Sequence, residues 1–306
     1  MNREKYHWFR VAFQLRGSVI PAILPRVILC GGFGVFISIL YYLKFPVYVQ
    51  VFSNIVPSIV LSLLLVFRTN SASERFWDGS KCWGVLVVTT RNLAREIWIS
   101  IEEKDPQDII NKKATLRLLA AFAVAMKLHL RKEPVNAEIE ALVSPSQYAK
   151  LKQVNHPPLE IAFWIGDYLQ NQYECDRVDV YQLTGMKKLL SGMVDQLGGC
   201  ERIARTPMPF AYAIHLKQLL LLYCLALPFQ LVKDLHLGTG LIVALISFTL
   251  FGIEEIGIEI EHPFGHDAND LTLDQICAAI HRNIEDLMAS SPSVRAHVTS
   301  RSMPQI

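Results

Sequence analysis

A run of uncharged residues long enough to cross a bilayer leaves a chain few folds, because in hydrocarbon every backbone N–H and C=O must be satisfied within the protein. This sequence holds such runs in two clusters. Residues 27–43, VILCGGFGVFISILYYL, carry no charge and are bracketed by Arg26 and Lys44; at 1.5 Å per residue they just span about 30 Å of hydrocarbon. Residues 45–67 are also uncharged, following a hinge at Lys44, Phe45 and Pro46, and Pro57 divides them. A third run, 218–232, extends backwards through Ala211–Ile214, and a fourth, 235–253, carries only His236 near its start, with Lys233 and Asp234 as the turn between them. The pattern predicts an all-α, multi-pass membrane protein with four transmembrane helices.

The remainder is too polar for a pure membrane bundle. The chain is 51% hydrophobic and 19% charged over 306 residues, which fits a protein part membrane and part soluble. The segment 68–210 is predicted to be a cytosolic helical region: LRLLAAFAVAMKLHLR (116–131) has an apolar face at Leu116, Leu119, Ala123 and Met126, further helices are expected around 164–169 and 186–194, and Pro134, Pro145 and Pro157-Pro158 punctuate them. An amphipathic, interfacial N-terminal segment (1–26) without a secretory signal, a second cytosolic helical region (254–289) and an unstructured tail (290–306) complete the division. The net charge of +2 gives no reason to expect nucleic acid as a partner. Six scattered cysteines without a CxxC read as small apolar thiols, not as a disulfide framework or metal site.

Lys and Arg set the orientation. Arg3, Lys5, Arg10, Arg16 and Arg26 precede the first run, and Arg68, Arg75, Lys81, Arg91 and Arg95 follow the second, whereas each intervening hairpin holds a single Lys. By the positive-inside rule both termini and the middle segment lie in the cytoplasm, with the cell membrane or a thylakoid-type membrane as the location. From Lys5 through Ser73 there is no Asp or Glu. Acidic residues are scarce near membranes in general, but a pore lined by this segment could not carry the acidic ring common in cation channels.

The stretch SIVLSLLLVFRTNSASERFWDGSKCWG (58–84) passes from apolar to polar with no helix breaker before Gly79. Pro57 suits the first turn of a helix, and from there Ile59, Leu63 and Phe67 recur at i, i+4, i+8 on one face. Such a stripe is ordinarily core in an all-apolar run. Here Asn70, Ser71 and Glu74 extend the same face into a polar region, as a constriction opening into an aqueous vestibule would require.

SLLLVFRTNSASERFWDGSKCWG followed by RNLARE resembles the bacterial and plant-type members of the bestrophin family, and RGSVIPAILPRV (16–27), CERIARTPMPFAYAIHLKQ (200–218) and GIEEIGIEIEHPFGHDANDLTLDQI (252–276) agree with it in order. The resemblance implies a homopentamer with four membrane helices per subunit, surrounded by membrane lipid and conducting chloride, bicarbonate or other small monovalent anions through an apolar neck and a second, cytosolic aperture. Aligned on RFW, the neck falls on Ile59, Leu63 and Phe67, and the TPMP block puts the aperture at Thr206 or Met208. Five helices packed about 9 to 10 Å apart leave a hole of roughly 3 Å radius, close to a partly dehydrated halide.

The departures from the family pattern also constrain the reading. Asp267 and Asp270 are the only carboxylates kept in the block that clasps calcium in animal members, and calcium wants six or more oxygens; no cofactor and no other metal is implied. Phe76 stands where the family has a first Trp. Glu254, Glu255 and Glu259 either face a vestibule or pair with Arg68, Arg75 or Arg91, and Arg68, Asn70, Glu74 and Glu255 are the candidate vestibule or ion-pair residues. A monovalent-cation channel is the alternative function. Nothing resembles a nucleophile elbow, a P-loop or a zinc motif, so no enzyme is implied.

Overall fold

The computed structural model describes residues 13–15, 17–49 and 56–290. Among these the chain is helical throughout, in the order α1 (Ile20–Tyr42), α2 (Val56–Ser100), α3 (Pro106–Arg131), α4 (Ala137–Glu140), α5 (Pro145–Leu151), α6 (Pro157–Glu174), α7 (Val180–Arg205), α8 (Phe210–Leu235), α9 (Thr239–Glu261) and α10 (Leu273–Ala289). The tail from 291 and the N-terminal segment before Phe13 lie outside the described residues. Two compact units result, one of Met1–Trp77 with Thr206–Asp270, the other of Asp78–Arg205 with Leu271–Ile306.

Among the described residues, three helical stretches are long and apolar enough to cross a membrane: Ile20–Tyr42, Val56–Ser100 and Phe210–Glu261. The last is two helices, α8 and α9, joined by a 3₁₀ turn at His236–Gly238. Lys233 and Asp234 are therefore not the turn: α8 continues through them, and the reversal falls where His236 adopts φ +46°. Thr239 Oγ1 donates to the His236 carbonyl at 2.7 Å, and the His236 ring stacks on Tyr41. These contacts fix the turn after the charged pair.

The first unit is held by close packing of α1 on α9. A Cβ on Gly34 would come within 2.9 Å of Gly240 Cα, and one on Gly240 within 2.4 Å of Val35 Cγ2. Small residues let the two backbones approach, which is how helices gain dispersion energy where lipid cancels the hydrophobic drive. Helices α2 and α8 join them around a buried cluster that includes Ile23, Leu61, Leu65, Leu220, Val243 and Phe251. Tyr212, on α8, donates its hydroxyl to the Leu64 carbonyl at 2.7 Å.

In the second unit α3 is the core. The predicted single apolar face is an underestimate, since residues 118–128 are buried all round. Two lysines accompany them: Lys112 donates to the Ile101 carbonyl at 2.8 Å and to Glu103 at 2.7 Å, and Lys127 donates to Glu138 at 2.6 Å and Asp274 at 2.7 Å. Each buried ammonium is thus satisfied. The helix starts follow local chemistry: Pro145 and Pro157 open α5 and α6, Ser144 and Gln147 form a capping box, and Asp179 Oδ1 accepts from the N–H groups of Tyr181 and Gln182.

Candidate functional site

Helix α2 answers the question raised by residues 58–84. It runs unbroken for 45 residues, through Gly79 and Gly84, with Pro57 in its first described turn. Residues 56–77 belong to the first unit, and there the helix has two contrasting faces. Leu61, Leu65, Arg68 and Ala72 are buried. Ile59, Leu63 and Phe67 are 50%, 51% and 61% exposed, and Asn70, Ser71 and Glu74 continue their line, also exposed. A single chain therefore leaves uncovered a stripe that is apolar at Ile59, Leu63 and Phe67 and polar below.

The charged groups behind this stripe are arranged in pairs. Arg68, only 3% exposed, lies 3.3 Å from Glu261 Oε2 and donates to Met208 Sδ at 3.3 Å. Glu261 Oε1 accepts from the Met208 backbone N–H at 2.9 Å. Arg75 donates through Nε to the Glu261 carbonyl at 3.2 Å and also to the Thr206 carbonyl. Arg68 is thus an ion-pair residue, but its partner is Glu261, at the last position of α9, and not Glu254, Glu255 or Glu259. Glu255 instead accepts from Arg26 at 2.8 Å, with Glu254 3.6 Å from the same guanidinium. Glu259 accepts from Asn269.

Both aperture candidates lie in the link between α7 and α8. Thr206 is exposed, whereas the Met208 sulfur is turned onto Arg68. Of the two calcium candidates, Asp267 is exposed and Asp270 Oδ2 accepts from the Asp267 N–H at 2.8 Å, so the second carboxylate shapes its own loop. His262 and His266 are exposed in the same loop.

The second unit holds a constellation that sequence spacing did not reveal. Nε2 of His129, in the last turn of α3, and Nε2 of His156, the N-cap of α6, stand 2.7 and 2.8 Å from one oxygen, Oε1 of Glu201 on α7. Burial alone would raise the Glu201 carboxyl, but the hydrogen bonds from His156 and His129 outweigh it and hold the group below its usual range. The three residues come from three helices, so no helical period links them. Among the described residues this is the group of His, Cys, Asp or Glu able to hold a metal ion.

The family described as Bacterial/Fungal Bestrophin protein matches residues 1–286. A voltage-dependent anion channel-forming protein of Nostoc sp. is 62% identical over 297 residues, 97% of each chain. One from Synechocystis sp. is 54% identical over 293 residues, 95% of each. Among solved structures, a point variant of a bacterial bestrophin homolog from Klebsiella pneumoniae aligns with a TM-score of 0.80 at 28% identity, covering 88% of this chain and 99% of that one.

Proposed function

The chain belongs to the bacterial and fungal bestrophin family, and on that premise we propose that it forms a homopentameric anion channel whose neck is the stripe Ile59, Leu63 and Phe67. The observation that carries the reading is the contrast on α2: one face is packed and the other leaves three apolar side chains and then Asn70, Ser71 and Glu74 without cover. Five copies around an axis would turn that face inward. Relatives matched over nearly their whole length bear the name anion channel-forming.

In this reading both membrane-crossing hairpins, α1 with the start of α2 and α8 with α9, give four spans, with the termini and the second unit in the cytoplasm. The neck works by geometry. An apolar ring of roughly 3 Å radius penalises every ion by desolvation and can close by dewetting. The sign of the ion is chosen by the fields at the two mouths. The N-terminus of α2 adds partial positive charge above, and no carboxylate occurs from Lys5 through Ser73 to oppose it. Arg68 adds little, because Glu261 neutralises it. Chloride, bicarbonate and larger weakly hydrated anions are the permeant class.

Two measurements on detergent-purified protein test this. Native mass analysis should give five copies, and a stable monomer would remove the pore. In planar bilayers with asymmetric potassium chloride, the reversal potential should lie toward that of chloride; a value near that of potassium would establish the cation-channel alternative instead.

A further inference from the structure

We propose that His129, His156 and Glu201 form a binding site for a divalent transition-metal ion of the zinc type. Two imidazoles and one carboxylate are the donor set that zinc takes at sites keeping a fourth position open. All three ligand atoms lie within 4.8 Å of one another, and the rings are 4.5 Å apart, centroid to centroid. At bond lengths of about 2.1 Å, tetrahedral ligand atoms sit roughly 3.4 Å apart, so each imidazole nitrogen needs to withdraw by about 0.6 Å from Glu201 Oε1 to admit the ion. That is within reach of small side-chain rotations.

The supports are rigid. His129 follows the fully buried stretch of α3, and Glu201 adjoins buried Cys200 on α7. His129, His156 and the Arg205 guanidinium, the last at 3.7 Å, all converge on Oε1 of the carboxylate, and Arg205 is 71% exposed and can swing into solvent. A cavity of about 490 Å³, lined by His129, Lys132, Glu133, Asn155 and Pro157 among others, adjoins the site at His129.

One local rearrangement follows. The Leu159 N–H donates to His156 Nδ1 at 3.3 Å, which places the ring proton on Nε2. A metal on Nε2 requires that proton to move to Nδ1, through exchange with solvent, and the Leu159 N–H to give up its acceptor. The bound ion therefore replaces a helix cap with a cross-link between α3, α6 and α7.

The test uses untagged, detergent-purified, full-length protein titrated with cobalt(II), read by the ligand-field absorption of a tetrahedral nitrogen and oxygen site, with zinc as competitor. The wild type should bind one cobalt per chain, displaced by one zinc. His129→Gln and Glu201→Gln should weaken binding by more than about tenfold, the lower end of what loss of even an outer partner costs at such sites. His156→Asn is the decisive variant, because Asn caps a helix N-terminus well and so keeps α6 while removing the imidazole. Saturable tetrahedral binding that survives in His156→Asn, or its absence from the wild type, overturns the proposal. Neither outcome depends on whether the protein conducts anions.

Discussion

Glu261→Gln tests whether the charged hub behind the proposed neck is what the structure makes it. Glu261 accepts the Met208 N–H with one oxygen and faces Arg68 with the other, and both side chains are buried. Glutamine keeps the shape and one acceptor for Met208 but turns an amide toward Arg68, leaving a buried guanidinium without the carboxylate it contacts. Removing one partner of a buried pair costs about 3 to 5 kcal/mol. The Arg75 bond is to the backbone carbonyl and survives, so the low end, about 3 kcal/mol, applies. By the scaling of soluble domains of 150–250 residues this lowers the midpoint by roughly 6 to 12 °C, read from the heat-dependent loss of the folded elution peak in detergent. Arg68→Met with Glu261→Met, which removes both charges, should lose much less than the two single changes added together. A shift under about 2 °C for Glu261→Gln, or strict additivity in the double variant, would refute the reasoning. The unmasked Arg68 supplies a second reading: reversal potentials in the variant should move further toward chloride.

Leu63→Ala should widen the neck and raise single-channel conductance while selectivity falls only slightly; unchanged currents from intact pentamers would take Leu63 out of the pore. Glu74 is the exposed carboxylate on the polar continuation of the stripe, seven residues or about 10 Å below Phe67. Glu74→Gln should therefore strengthen anion preference, most visibly at low salt, where screening is weakest. Gly34→Ala forces a Cβ against the Gly240 backbone and should cost about 1 to 3 kcal/mol, measured as earlier thermal loss of the folded protein. In the second unit, hydrogen bonds from Arg131 and Lys127 depress the Asp274 carboxyl to about 2. A depressed carboxylate contributes stability above its unfolded value near 3.9 and loses it as pH falls from there toward 2. Because Asp274 is largely exposed, the contribution is about 1 kcal/mol after solvent screening. Asp274→Asn should flatten the acid limb of a stability profile by that amount, and an unchanged limb would show that the contacts carry no linkage.

What the sequence makes legible follows from which signals are local. Uncharged length marks the apolar helices, and prolines with capping residues mark the starts of α5 and α6, because both act within a few residues. The turn expected at Lys233 and Asp234 falls instead at His236–Gly238, because a pair of charges does not by itself end a helix. Helix α9 outruns its apolar stretch because its glutamates find partners: Arg26, Asn269 and Arg68 meet Glu255, Glu259 and Glu261. Arg68 and Glu261 are separated by 193 positions, and no local period announces such a pairing. The His129, His156 and Glu201 group was hidden for the same reason. All-round burial of α3 leaves no periodic trace, because small residues such as Ala120, Ala121 and Ala125 serve a core and a surface equally well.

The pairing of charges in the first unit changes what can select an ion. A basic segment without carboxylates invites the view that its arginines attract anions directly. Arg26 and Arg68 instead face glutamates of α9, and Arg75 is engaged with backbone carbonyls. A guanidinium held beside a carboxylate at 3 Å is a dipole whose field falls off far faster than that of a free charge, and salt screens the remainder within about 8 to 10 Å. Arg26 and Arg68 therefore act mainly on architecture, holding the end of α9 to α1 and α2, and little of the choice of ion falls to them. The N-terminal dipole of α2 favours anions, and the exposed Glu74 opposes it. A preference built from such small opposing terms should vary readily with single exposed charges, while the hub that looks most electrostatic should, when broken, first cost the fold.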